Sequence, residues 1–167
     1  FFISLCSICF HIICMKHLLK TPYNKNMEYK ILVTGDRNWN NKERINEILS
    51  SLKMKLLEKQ DSSEIDNEIS IILIHGNARG ADKLAGECAL ALGFQVKIYD
   101  AKWNELGKRA GIVRNREMAA EKPNMVIAFH NDIENSKGTK DMLSCVVGKT
   151  PARVILVTDD DVIILQK

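Results

Sequence analysis

Five short runs rich in Ile, Val, Leu and Phe recur along the chain, at residues 30–34, 69–74, 94–99, 125–129 and 153–157, and they limit what it can fold into. Several are apolar without interruption, the pattern of strands buried on both faces of a parallel sheet. Parallel neighbours need crossover connections, and the segments between the runs have the period that helical crossovers require. Ile45, Ile48, Leu49, Leu52 and Leu56 fall on one helix face, with Asn40 and Glu43 at the spacing of an N-cap and its N3 partner. A second helix carries Leu84, Cys88 and Leu92 and stops at Gly93. A third is expected from about Ile112 to Ala120, and a fourth from about Thr139 to Val147, stopping at Gly148 before Pro151. The expected class is α/β: a Rossmann-like, doubly wound, mostly parallel sheet. Residues 154–157 and 162–165, separated by Asp159, Asp160 and Asp161, predict an antiparallel edge strand at the end of the chain.

The 167 residues suit one domain. Residues 27–167 carry every strand and helix, residues 60–68 read as a polar surface loop, and residues 1–26 are expected to lie outside the fold. Their apolar run at 1–13 is too short to span a bilayer and has no basic region before it. The chain begins with Phe, and Met27, just ahead of the first strand, is the expected initiator. No membrane association is expected, and the cytoplasm is the expected compartment. Cys6, Cys9, His11, Cys14 and His17 include a Cys-x-x-Cys, but no turn residues are there to shape a zinc knuckle, and no metal is expected. Cys88 reads as a small buried apolar residue.

Net charge bears on partners. Lys16, Lys20 and Lys25 account for the whole excess of 24 basic over 21 acidic residues, so residues 27–167 are neutral. A neutral domain lacks the field that drives non-specific nucleic-acid binding, and nucleic acid is not an expected partner.

Ligands of open α/β sheets bind beyond the carboxyl ends of the strands. The unusual residues of this chain fall there, in the segments 35–39, 75–82, 103–116 and 130–139. Gly76 and Gly80 bracket a turn between strand and helix, with Ala78 inside it, a geometry that aims backbone N–H groups and a positive helix end at an anion. Arg79 adds a charge able to pair with two phosphate oxygens. Asp82 is either a cap or an acceptor for a ribose hydroxyl. There is no Gly-x-Gly-x-x-Gly, although Asp100 ends the third strand where a ribose-binding acid stands in dinucleotide folds. Gly148-Lys149-Thr150 mimics the end of a Walker A loop but follows a helix instead of opening one.

Arg114 and Asn115 enter the site by the strand-end rule, whereas Lys108, Arg109 and Arg116 fit a solvated helix face equally well. Trp39 and Trp103 each either stack on a base or pack as a lid. His75 and His130 follow strands without a partner carboxylate in view and read as structural. Gly138 and Thr139 lead into the fourth helix and offer a second set of N-terminal amides.

Taken together, residues 34–39 (Thr-Gly-Asp-Arg-Asn-Trp), 75–82 (His-Gly-Asn-Ala-Arg-Gly-Ala-Asp), Arg109-Ala110-Gly111-x-x-Arg114-Asn115-x-x-Met118 and Gly138-Thr139-x-x-Met142 resemble the YspA family of the SLOG superfamily. The resemblance implies a Rossmann-like fold and the binding of nucleotides or nucleotide-derived signals, often in bacterial or viral conflict systems. Two relatives of that family define the alternatives: LOG phosphoribohydrolases, which cleave a nucleotide N-glycosidic bond, and DprA proteins, which bind single-stranded DNA. The catalytic glutamate of LOG enzymes falls on Met142, and residues 131–137 replace their Pro-Gly-Gly. Glu117 or Asp141 would have to stand in for it. The family commonly has Ser where this chain has Asp36.

The expected function is therefore binding or sensing of a nucleotide-type small ligand, with no further cofactor and with self-association left open. Phosphates are expected on the Gly76–Gly80 turn and Arg114, and the sugar or base near Arg37, Trp39 and Thr139, with Gly35 a further ligand-binding residue. Glu117 is the candidate catalytic residue if the chain is an N-glycosidase.

Overall fold

The computed structural model describes residues 28–61 and 69–167, the side chains of residues 59–61 excepted. The expectations for residues 1–26, for Met27 as initiator and for the Cys-x-x-Cys lie outside the described residues. The strands are β1 (Glu28–Gly35), β2 (Ser70–His75), β3 (Gln95–Ile98), β4 (Met125–Phe129), β5 (Arg153–Val157) and β6 (Val162–Gln166). They form one sheet in the order β3-β2-β1-β4-β5-β6, parallel throughout except for the last pair. The direction of winding reverses between β1 and β4, as in a doubly wound α/β fold.

The helices are α1 (Lys42–Asp61), α2 (Ala81–Ala91), α3 (Trp103–Leu106), α4 (Ala110–Ala120) and α5 (Lys137–Val146). The polar stretch expected as a loop from residue 60 is helical as far as Asp61, and residues 62–68 lie outside the described ones. α1 is capped one residue later than its sequence suggests, because Asn41 Oδ1, not Asn40, accepts the Arg44 N–H at 3.0 Å. α5 starts earlier than expected: Ser136 Oγ accepts the Thr139 N–H at 3.2 Å, so Gly138 and Thr139 lie inside the first turn and not ahead of it. α3 was not foreseen; four residues are too few to show a helical period.

The pleat sorts the core into two layers. Tyr29, Ile31 and Val33 of β1 face one side with Met125, Ile127 and Phe129 of β4, covered by Ile45, Leu49 and Leu52 of α1 and by Ala85 and Ala89 of α2. Leu32, Val126 and Ala128 face the other, covered by Met118 of α4 and by Met142, Leu143 and Val146 of α5. Each fully buried Leu, Ile or Met side chain contributes roughly 1.5–3 kcal/mol of transfer free energy. Both faces being covered explains the uninterrupted apolar runs of β4 and of residues 154–157 in β5. At the end of α4, Glu121 accepts hydrogen bonds from Lys97, Lys30 and the Tyr99 hydroxyl, tying the helix to β1 and β3. The Lys97 bond, followed by the Tyr99 bond, pulls the Glu121 carboxyl down to about 2. Among the described residues no helix is long and apolar enough to cross a membrane.

Candidate functional site

Gly35 ends β1 where the chain passes beneath the start of α2. A Cβ there would stand 2.4 Å from the Phe129 carbonyl oxygen and 2.6 Å from Ala81 Cβ, so no larger residue fits. The following residue closes the loop: the Asp36 N–H donates to the Phe129 carbonyl at 2.9 Å, and the Asp36 carbonyl accepts from the Trp39 and Ala81 N–H groups at 3.2 and 3.1 Å. The Asp36 carboxylate accepts the Asn38 N–H at 2.9 Å and so folds back on its own loop. Gly80 packs against this loop with φ +80°, and a Cβ there would meet the Asp36 and Arg37 carbonyl oxygens at 2.4 and 2.6 Å. Arg79 completes the clasp, donating from Nε to the Arg37 carbonyl at 3.1 Å and from Nη2 to Asn38 Oδ1 at 2.7 Å.

The turn after β2 uses its amides differently from the sequence expectation. Asp82, buried in the first turn of α2, sends its carboxylate back to accept the Gly76 and Ala78 N–H groups at 3.0 and 3.3 Å. Two donors offered to a phosphate are thus occupied by the protein's own anion. Asp82 shapes the loop and is too buried to receive a ribose hydroxyl. Burial pushes its carboxyl up to about 6, against the opposing pull of Arg114 and the two N–H donors. Asn77, at φ +56°, donates its N–H to His75 Nδ1 at 3.1 Å and its side-chain amide to Asp100 Oδ1 at 2.6 Å. Burial lowers the His75 imidazole below its ordinary range. His130 Nδ1 likewise accepts a backbone N–H, that of Asp132, at 3.0 Å.

Arg114 arrives from α4, the crossover that carries the chain back past β2 and β1 to β4. Its Nη1 donates to the Gly76 carbonyl at 2.7 Å and its Nη2 to Asn115 Oδ1 at 3.0 Å. Burial lowers the guanidinium pKa, and Asp82 opposes that shift. Asn115, itself buried, passes the connection on to α5 by donating to Asp141 Oδ2 at 2.8 Å and to the Gly138 carbonyl at 3.4 Å. One polar chain therefore runs from α2 through Arg114 to α5 across the carboxyl edge of the sheet.

These segments enclose a cleft of about 550 Å³. Its walls hold three guanidiniums (Arg37, Arg79 and Arg114), one carboxylate (Asp100), the backbone of Gly76, Asn77 and Ala78, and the indole of Trp103, which is 52% exposed. None of the three arginines forms a salt bridge with a described carboxylate. The arrangement suits a small anion with an aromatic part: guanidiniums for phosphate oxygens, an exposed indole for a planar ring.

Of the residues expected at the site, Arg37, Gly76, Ala78, Arg79 and Arg114 line the cleft, while Gly35, Gly80, Asp82 and Asn115 shape it from behind. Trp39 does not belong there. It is 5% exposed, packs at 5.6 Å between ring centroids on Phe129, and spends its indole N–H on the Asn41 carbonyl at 3.0 Å. Neither face of the ring is left for a base. Gly138 and Thr139 lie on α5 and outside the cleft wall, and the Thr139 N–H is already held by Ser136. Glu117 is exposed on α4 and does not line the cleft either, and Met142 is fully buried in the core. Asn77 was passed over in the sequence, and Asp100 and Trp103 were weighed without being assigned; the signal for Asp100 was its place as the first charged residue after β3. Among the described residues no group of three or more His, Cys, Asp or Glu is placed to hold a metal ion.

Comparison with known proteins agrees with this architecture. Residues 29–105 match the model of a family described as "YspA, cpYpsA-related SLOG family". The Gene 61 protein of Mycobacterium phage D29 is 28% identical over 116 residues, which cover 66% of this chain and 82% of the phage protein. No solved structure matches significantly. The matched residues contain β1 to β3, the Gly76–Gly80 turn and every cleft residue except Arg114, so over this part the chain is similar to the YspA, cpYpsA-related SLOG family.

Proposed function

We propose that the cleft binds a nucleotide or a nucleotide-derived small molecule and acts as a sensor of it. The observation that carries this reading is the convergence of three guanidiniums, from three segments far apart in sequence and without carboxylate partners, on one cleft beside an exposed tryptophan. Guanidiniums that converge with only neutral partners favour an anion with several oxygens, and phosphate matches their paired donors. In this reading Arg37, Arg79 and Arg114 hold the phosphates and Trp103 stacks on the base. The Gly76 and Ala78 amides, occupied by Asp82, set the shape of the turn and do not take the phosphate.

The match of residues 29–105 to a SLOG family suggests a nucleotide-related role and supports the same conclusion. Extraction of small molecules from the purified protein, identified by mass spectrometry, tests it directly. Titration with a panel of nucleoside mono- and diphosphates, followed by tryptophan emission, is the complementary measurement. The reading fails if no nucleotide co-purifies and none of the panel binds.

A further inference from the structure

We propose that Asp100 reads the ribose, so that the cleft accepts ribonucleotides with both the 2′ and 3′ hydroxyls free and discriminates against 2′-deoxy and 2′-phosphorylated ligands. This inference rests on the nucleotide reading of the cleft given above.

β2 and β3 are paired in parallel with His75 opposite Ile98, and the Tyr99 N–H donates to the His75 carbonyl at 2.9 Å. The two strands therefore end level, and the residues that follow them emerge side by side, about 4.8 Å apart as neighbouring strands are. One end carries the glycine turn, Gly76 to Gly80, and the other carries Asp100. Both line the same cleft. In α/β nucleotide folds a carboxylate at the end of one strand reaches the ribose of a nucleotide whose phosphate lies at the end of its neighbour; here Arg79 and Arg114, and not the turn amides held by Asp82, stand at the phosphate end.

The chemistry of the carboxylate narrows the choice. Asp100 is the one carboxylate among the described residues of the cleft wall, it is exposed, and an ionised carboxylate only accepts hydrogen bonds. Its Oδ1 accepts from Asn77, which fixes the plane of the group, while Oδ2 has no donor among the described residues. Phosphate oxygens cannot supply a donor, and a negative charge set among three guanidiniums weakens phosphate binding unless it does something else. A ribose diol supplies two hydroxyl donors. A phosphate on the 2′ oxygen would set a dianion against Asp100.

The test compares the full chain with its Asp100→Asn variant, titrated calorimetrically with ADP, GDP, CDP and UDP, with their 2′-deoxy counterparts, and with adenosine 2′,5′-bisphosphate against AMP. The expected result is that the wild type prefers the ribonucleotide over the deoxy form by roughly tenfold or more, the range for a lost hydrogen bond to a charged group. Asp100→Asn is expected to bind the deoxy forms at least as tightly as the wild type does, lose the preference and tolerate the 2′-phosphate. Its Oδ1 still accepts from Asn77, so the loop is retained, and an unchanged melting temperature verifies this. Equal binding of ribo and deoxy forms by the wild type, an unchanged preference in the variant, or loss of affinity for both forms alike each overturn the assignment while nucleotide binding itself stands. Binding of none of these compounds by the wild type overturns the nucleotide reading and this inference with it.

Discussion

The Arg114 guanidinium lies so close over Gly76 that a Cβ added there would stand 2.5 Å from Arg114 Cζ, and the Gly76 carbonyl accepts from the same side chain at 2.7 Å. The glycine is required by the arginine and not by the backbone, since Gly76 is not among the positive-φ residues. Gly76→Ala should therefore fold and push the guanidinium aside, lowering nucleotide affinity about as much as Arg114→Ala does. Gly80→Ala should behave differently. It places a Cβ against the Asp36 and Arg37 carbonyls at φ +80°, and the strain alone costs about 1–3 kcal/mol. Denaturant unfolding of the two variants beside a binding titration separates the cases.

Arg79 and Arg114 should also part company. If the cleft binds a nucleotide as proposed, each should lose a charge-assisted bond to phosphate when replaced by Ala, costing roughly 1.5–3 kcal/mol in affinity. Arg79 is exposed, and its removal should leave stability within about 0.5 kcal/mol. Arg114 bridges Gly76 and Asn115, so Arg114→Ala should in addition destabilise the fold by about 1–3 kcal/mol through the acceptors it leaves without partners. Equal stability of both variants would mean that the Arg114 bridge contributes nothing to the fold.

Asp82 sets a pH dependence of unusual sign. Its folded-state carboxyl keeps a proton up to about pH 6, whereas the unfolded chain releases it near 3.8. Folding takes up a proton between those values, so stability falls as pH rises through them, by about 3 kcal/mol for this group alone. Glu121 works the other way: its depressed folded pKa gives stability above the ordinary glutamate value of 4.5 that is lost as pH falls toward 2. Between pH 4.5 and 6.5 the Asp82 contribution should dominate the difference between wild type and Asp82→Asn. Chemical denaturation of both across that window should show a downward slope in the wild type that the variant lacks.

Cleavage of the N-glycosidic bond of nucleoside monophosphates is expected to be absent. Breaking an N-glycosidic bond builds positive charge on the ribose, which needs a carboxylate near the anomeric carbon or a base for the attacking water. Met142 lies in the core, Asp141 is bonded to Asn115, and Glu117 points from a part of α4 outside the cleft wall. Incubation with nucleoside monophosphates should release no base at an enzymatic rate, as followed by chromatography. Base release that Glu117→Gln abolishes without loss of binding would make the domain an enzyme.

The sheet was legible because period and burial are written in the same residues: β4 and residues 154–157 of β5 are apolar without a break since α1, α4 and α5 cover both faces. The cleft was legible as a set of strand ends, which is why Arg37, Arg79 and Arg114 were found. Orientation was not. Nothing in the order Trp-Asn-Asn tells that the Trp39 ring turns under the sheet edge to meet Phe129, some ninety residues away in sequence. The same holds for Asp82, whose position beside a glycine turn reads as ligand-facing until the carboxylate is seen to reach back to Gly76 and Ala78.

Arg114 is the cleft residue that comes from the far half of the sheet, since α4 leads into β4. A ligand that engages it together with Arg37 and Arg79 is bound only by the fully assembled domain. Occupancy should then couple to global unfolding and not to local loop order: saturating ligand at 100 times its dissociation constant adds about 2.7 kcal/mol to the whole transition. Amides deep in β1 and β4, far from any phosphate, should exchange more slowly in its presence.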